Sequence, residues 1–225
     1  MDDEFSERAF STRAVWSGTN HLEGSAVTPI FTTSTYQLND DRYRDWADGG
    51  QHSLIYSRWS SVNSEAVASK VASMEGAEDG ETLASGMAAI SSTLLSMLSK
   101  GDHMVTSADI YGGTYGLLTS DFPRFGIDVT MADIRDPSSF EAAINENTKV
   151  LYVETITNPV LKVCDLEAMA SIAKEHGLIS VVDNTFATPW ACQPISMGFD
   201  VVIHSGTKFL NGHTCLLYTS DAADE

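Results

Sequence analysis

Two short apolar runs late in the chain each carry polar residues to their C-terminal ends. LISVVDNT (178–185) presents Asp183, and DVVIHSGTK (200–208) presents Ser205, Thr207 and Lys208. In an open α/β sheet, ligands collect beyond the carboxyl ends of the strands, so an acid and a primary amine would meet there. An amine condenses with an aldehyde, and a carboxylate holds the proton on a pyridine nitrogen. The pair therefore suits an aromatic nitrogen heterocycle that carries an aldehyde.

The elements that must position these groups read as repeated βα units. HMVTS (103–107), IDVTMA (127–132) and KVLYVETI (149–156) are strand-like, and they alternate with helical patterns in YGGTYGLLTSDF (111–122), SSFEAAI (138–144) and LEAMASIAKEHG (166–177). Upstream, Ala66, Val67, Val71 and Met74 recur at helical spacing before Gly76. ETLAS (81–85) reads as a further strand, followed by the apolar helix GMAAISSTLLSMLSKGD closed at Lys100-Gly101. Such a repeat implies a mostly parallel sheet with helices on both faces. The Ser85-Gly86 junction opens a helix on small residues; free backbone N–H groups and the positive dipole end there suit a phosphate, although a plain cap is the more frequent use.

Residues 1–60 show little periodicity. Thr28-Pro29-Ile30 reads as extended, and NDDRYRDWADGGQHS (39–53) as a polar loop with a Gly49-Gly50 break, so this segment is expected to be an arm lying on a partner subunit. The 225 residues are 43% hydrophobic and 9% aromatic, enough for a globular core. With 31 acidic against 13 basic residues, a net charge of −18 disfavours nucleic acid and anionic membrane surfaces as partners. Cys164, Cys192 and Cys215 fit neither a disulfide framework nor a zinc site, and MDDEFSERAF has no apolar leader core. A reduced, cytoplasmic protein without a bound metal is the expectation. The last eleven residues, CLLYTSDAADE (215–225), break the α/β rhythm; one codon choice for them resembles a transposon adapter used in sequencing-library preparation, so they are expected to be non-native and the chain to be cut short.

Singly, each candidate has a structural explanation: Ser85 as a cap, Tyr111 as core, Asp183 as a turn cap, Lys208 as a solvated lysine. Together they resemble the Cys/Met-metabolism (trans-sulfuration) family of pyridoxal-phosphate enzymes, of cystathionine γ-synthase, cystathionine γ-lyase and O-acetylhomoserine sulfhydrylase type. YSR (56–58), SGMAAI (85–90), YGGTYGL (111–117), ETITNP (154–159), DNTFATP (183–189) and HSGTKFLNGH (204–213) carry the resemblance, in the family's order, over about residues 13–214.

What the resemblance implies is an aspartate-aminotransferase-like (fold type I) α/β large domain. Residues 1–60 would be an arm on the partner subunit, 61–214 an incomplete cofactor domain and 215–225 the foreign tail, with the small C-terminal domain and its carboxylate-binding arginine lacking. By resemblance, Lys208 bonds the aldehyde of pyridoxal 5'-phosphate and then shuttles protons, Asp183 pairs with the ring nitrogen, and Tyr111 stacks on the ring. Ser85, Gly86, Met87, Ser205 and Thr207 would hold the phosphate, Asn158 would sit by the ring hydroxyl, and Tyr56 and Arg58 would reach the other subunit's phosphate in a homodimer or homotetramer. Two departures stand out: Trp59-Ser60-Ser61 replaces the family's usual segment after YSR, and Gly113 stands where methionine γ-lyases carry cysteine. The implied reaction is elimination or replacement at the β or γ carbon of a sulfur-containing or O-acylated amino acid. A same-fold aminotransferase and an inactive fragment are the competing readings.

Overall fold

The computed structural model describes Phe5, residues 7–48 and residues 54–212. The Gly49-Gly50 break, His213, Thr214 and the expected foreign tail lie outside them. The chain divides into two compact units, Met1–Thr82 and Leu83–Glu225, so the division falls later than the arm boundary expected at residue 60.

The first unit carries helices α1 (Phe10–Trp16), α2 (Asp40–Ala47) and α3 (Val62–Glu75). Helix α3 starts where the Ser61 hydroxyl accepts the Ser64 N–H at 3.1 Å and ends at Gly76, whose φ of 74° closes it in the left-handed region. The turn after α1 lies directly on it. A Cβ at Gly18 would stand 2.5 Å from the Ala66 carbonyl, Arg13 donates to the Ser73 carbonyl, and the Ser17 and Ser73 hydroxyls are 3.0 Å apart. Helix α2 corrects the reading of 39–53 as loop throughout. The Asn39 side chain accepts the Arg42 N–H at 2.9 Å, and Asp40 and Asp41 occupy the first turn, where the helix dipole favours negative charge.

In the second unit the elements run α4 (Gly86–Met97), β1 (His103–Ser107), α5 (Gly112–Gly116), α6 (Phe122–Phe125), β2 (Asp128–Ala132), α7 (Pro137–Ala143), β3 (Thr148–Glu154), α8 (Leu166–His176), β4 (Ile179–Asp183), α9 (Thr188–Ala191) and β5 (Val201–Ile203). A π-helical stretch, Leu117–Asp121, joins α5 to α6. The strands form one parallel sheet in the order β2-β1-β3-β4-β5. ETLAS is not a strand. Its residues enter no ladder among the described residues, Leu83 is exposed, and Ser85 is the cap of α4, so the run is too short and too polar at its end to pair. Helix α4 ends at Met97 rather than at Lys100-Gly101, because Asp102 Oδ2 takes the Ser99 N–H at 2.8 Å in a tight turn.

The sheet is apolar on both faces, as a covered parallel sheet must be. On one face Val105, Leu151, Val153 and Val182 pack with Phe140 of α7 and Met169 of α8. On the other, Met104, Val150, Tyr152 and Val181 pack with Ile90 and Leu94 of α4 and Phe122 of α6. The alternation along β3 places Tyr152, and hence Glu154, on the α4 side. Leu94 is wholly buried there. Leu94→Ala should cost about 2–5 kcal/mol, read as a lower urea midpoint at unchanged slope.

Candidate active site

After β1 and β2 the chain crosses back to place β3 on the other side of β1, so the strand order reverses between β1 and β3. Crevices outside the carboxyl ends at such a reversal bind ligands. A cavity of about 260 Å³ opens there, lined wholly by residues of the second unit. Sequence reasoning placed Ser85, Gly86, Met87, Tyr111 and Asn158 in one site, together with Asp183, Ser205, Thr207 and Lys208, and all of them line this cavity. Tyr56 and Arg58 belong to the first unit and are not among its lining residues; the Arg58 guanidinium lies over the Tyr56 ring at 5.4 Å and the Trp59 ring at 6.0 Å.

Three walls can be built from local structure. The first is the opening turn of α4. The Ser85 hydroxyl accepts the Ala88 N–H at 3.0 Å, so Ser85 is a cap as well as a lining residue. The N–H groups of Gly86 and Met87 have no intrahelical acceptor, as at every helix start, and they point where the dipole is positive. Gly86 is required by close approach: a Cβ there would stand 2.8 Å from Ser205 Cβ and 2.9 Å from its Oγ. The second wall follows β5. Ser205 and Thr207 hydroxyls lie 2.9 Å apart, and the Ser205 N–H donates to Thr185 Oγ1 at 2.8 Å, tying this loop to the end of β4. Lys208 ends the same loop.

The third wall is acidic. Glu154 and Asp183 close adjacent strands as register partners. Asp183 Oδ1 accepts the Thr185 N–H at 2.9 Å; burial nonetheless raises its carboxyl above the ordinary range, with Thr185 and His204 acting the other way. Glu154 Oε1 accepts the Tyr111 N–H at 2.7 Å and Oε2 the Asn158 N–H at 3.0 Å. Burial is the main cause that pushes its carboxyl up to about 7; Asp183 adds to the rise and the two N–H donors oppose it. Glu154, Thr185 and Phe186 line the cavity but were not singled out from the sequence. Glu154 had a legible mark, a charge closing the apolar run KVLYV just as Asp183 closes ISVV.

The fold and this site define a doubly wound α/β protein with a cavity at the strand reversal where a helix start, two strand-end carboxylates and a lysine meet. The family described as Cys/Met metabolism PLP-dependent enzyme matches residues 11–219, and the chain belongs to it. The chain is 39% identical over 215 residues to an L-methionine γ-lyase of Porphyromonas gingivalis, covering 94% of this chain and 54% of that protein. It is 42% identical over 192 residues to a cystathionine γ-lyase of Bacillus subtilis, covering 85% and 48% respectively. A Campylobacter jejuni structure assigned as an O-acetylhomoserine (thiol)-lyase, with N'-pyridoxyl-lysine 5'-monophosphate, superposes with a TM-score of 0.86 at 35% identity over 91% of this chain and 51% of that one. The chain thus spans about half the length of these relatives.

The residues fit the family's cofactor. A helix start pressed against a hydroxyl loop with no room for a methyl group makes an oxyanion cradle, a half-buried carboxylate of raised pKa would be favoured in its ionised form by a cationic N–H partner, and Lys208 lines the same cavity.

Two outcomes follow from these contacts. Gly86→Ala should cost about 1–3 kcal/mol in a urea melt and weaken cofactor binding, and adding Ser205→Gly should restore part of the stability by removing the atoms the new methyl meets. For Glu154 the raised carboxyl pKa means that the folded chain keeps a proton the unfolded chain gives up. Its contribution is fully present below about 4.5 and lost as pH rises to about 7. The cofactor-free chain should therefore lose up to about 3 kcal/mol across that window relative to Glu154→Gln, measured as the difference between their urea stabilities.

Proposed function

We propose that the whole protein catalyses elimination or replacement at the β or γ carbon of a sulfur-containing or O-acylated amino acid, with pyridoxal 5'-phosphate bound in the cavity at the β1/β3 reversal. The observation that carries this reading is Lys208 and Asp183 lining one cavity with the first turn of α4, in a chain matched by the family over 11–219. When bound, the cofactor supplies an electron sink for the pair left on the substrate α carbon.

The remaining work falls to this chain's own groups. The N–H groups of Gly86 and Met87, with the Ser85, Ser205 and Thr207 hydroxyls, hold the phosphate. Asp183 keeps a proton on the ring nitrogen, and its partly desolvated carboxylate binds that N–H more strongly than an exposed one would. Tyr111 would stack on the cofactor ring, and Asn158 would serve its hydroxyl. Lys208 would hold the cofactor through its Nζ, and the same amine is the group that would move the substrate α proton and return it to the leaving group or product. Tyr56 and Arg58 are assigned to the phosphate of a neighbouring subunit, within a homodimer or homotetramer. No helix among the described residues is long and apolar enough to cross a membrane, and the acidic surface, the thiols and the amino-acid substrate class support a cytoplasmic setting.

Borohydride reduction of the chain after incubation with pyridoxal 5'-phosphate should leave a pyridoxyl group on Lys208, located by peptide mass spectrometry. Lys208→Ala should abolish that mass shift. Labelling spread evenly over other lysines, or none, would overturn the reading.

A further inference from the structure

Glu154 is 3% exposed at the end of β3, beside a second carboxylate, and it lies outside the set of groups assigned above to cofactor or substrate. Placing a carboxylate there is costly unless its bonds fix something. Both of its oxygens accept backbone N–H groups, and the two donors belong to different loops: Tyr111 N on the β1–α5 loop and Asn158 N on the β3–α8 loop. These loops flank the point where the strand order reverses, and each donor residue also lines the cavity. The same two loops are tied again by Lys162 Nζ, which donates to Asp109 Oδ2. The β3–α8 loop is itself closed by the Ile156–Val163 bridge and by the Thr157 N–H donating to the Lys162 carbonyl at 2.9 Å. On its other side the Tyr111 ring is seated against Gly113, where a Cβ would come within 2.6 Å of Cε1.

We infer that Glu154 is a positioning residue: its two carboxylate oxygens clamp the backbones of Tyr111 and Asn158 and so fix the two side chains that face the cofactor ring from separate loops. The inference rests on the cofactor reading above. A single carboxylate spanning both loops couples their positions, so neither side chain can shift without straining the other's anchor. Charge-assisted bonds of this kind are shorter and stronger than neutral ones.

The test is residue-resolved amide hydrogen exchange on the 225-residue chain, native and as Glu154→Gln and Glu154→Asp. Gln keeps the shape but turns one acceptor into a donor; Asp keeps the charge but is one methylene shorter. Each should speed exchange at the Tyr111 or Asn158 amide about tenfold or more, leave the amides of Val150 to Val153 unchanged, and raise the dissociation constant for pyridoxal 5'-phosphate by about tenfold. Native protection at both amides in either variant would overturn the inference. So would acceleration spread uniformly over the sheet, or faster exchange with unaltered cofactor affinity. If the native chain binds no pyridoxal 5'-phosphate, the cofactor reading fails, and with it the functional part of the inference; if it binds and the variants bind equally well, the clamp alone fails.

Discussion

The pocket exists because α4 begins in contact with the loop after β5, and that contact depends on the absence of one methyl group. With only 2.8 Å between a would-be Cβ at Gly86 and Ser205 Cβ, the helix start and the hydroxyl loop share one small volume. Free N–H groups, a positive dipole end and two hydroxyls then converge on the same point, which no one of these elements achieves alone. Their relative placement is fixed from behind: Ile90 and Leu94 anchor α4 to the face made by Val150, Tyr152 and Val181, while β5 is paired to β4. A sheet covered on both faces is a rigid base, and the positions of the loops at its carboxyl edge inherit that rigidity.

The pocket divides into a cradle of N–H groups and hydroxyls that ends at Lys208 and an acidic floor. The two strand-end carboxylates are register neighbours in a parallel pair, and Asp183 makes Glu154 harder to ionise beyond what burial already does. They are nonetheless not equivalent. Glu154 has both oxygens engaged by backbone N–H groups, whereas the backbone bond recorded for Asp183 reaches one oxygen, from Thr185. Asp183 is thus bonded within its own turn, by Thr185, whereas Glu154 is committed to two loops. Burial also raises the Tyr152 hydroxyl well above its ordinary range, with Asp183 and Glu154 adding to the rise, so the layer beneath the floor stays neutral and contributes no compensating charge.

Much of this was legible from residue order, for identifiable reasons. Strands β1 to β5 were readable because buried parallel strands are nearly continuous apolar runs, and Asp183 and Lys208 stood out as polar residues ending such runs. ETLAS misled because Leu83 and Ala84 look strand-like in isolation, while the decisive fact is that Ser85 belongs to the cap of α4. Helix α2 was hidden by its acidity, although Asn39 with Asp40 and Asp41 is a helix-start pattern that local charge makes favourable. Glu154 was quoted within ETITNP without a role, since its bond from Tyr111 N spans more than 40 residues in sequence and no local spacing encodes it. Thr185 was passed over for the same kind of reason, as its hydroxyl reaches Ser205 across a strand gap.

The same residues match an L-methionine γ-lyase at 39% identity and a cystathionine γ-lyase at 42%, two proteins of different named substrate. A half-length segment shared to that degree holds the residues that line the cavity at the strand reversal. What separates the substrates must act on this shared floor from its walls. On the Tyr111 side of the cavity, a side chain at position 113 would meet Tyr111 Cε1 at 2.6 Å and Met87 Sδ at 2.9 Å. A residue larger than glycine there has to displace the Tyr111 ring and the Met87 side chain, and so reshapes that wall of the cavity.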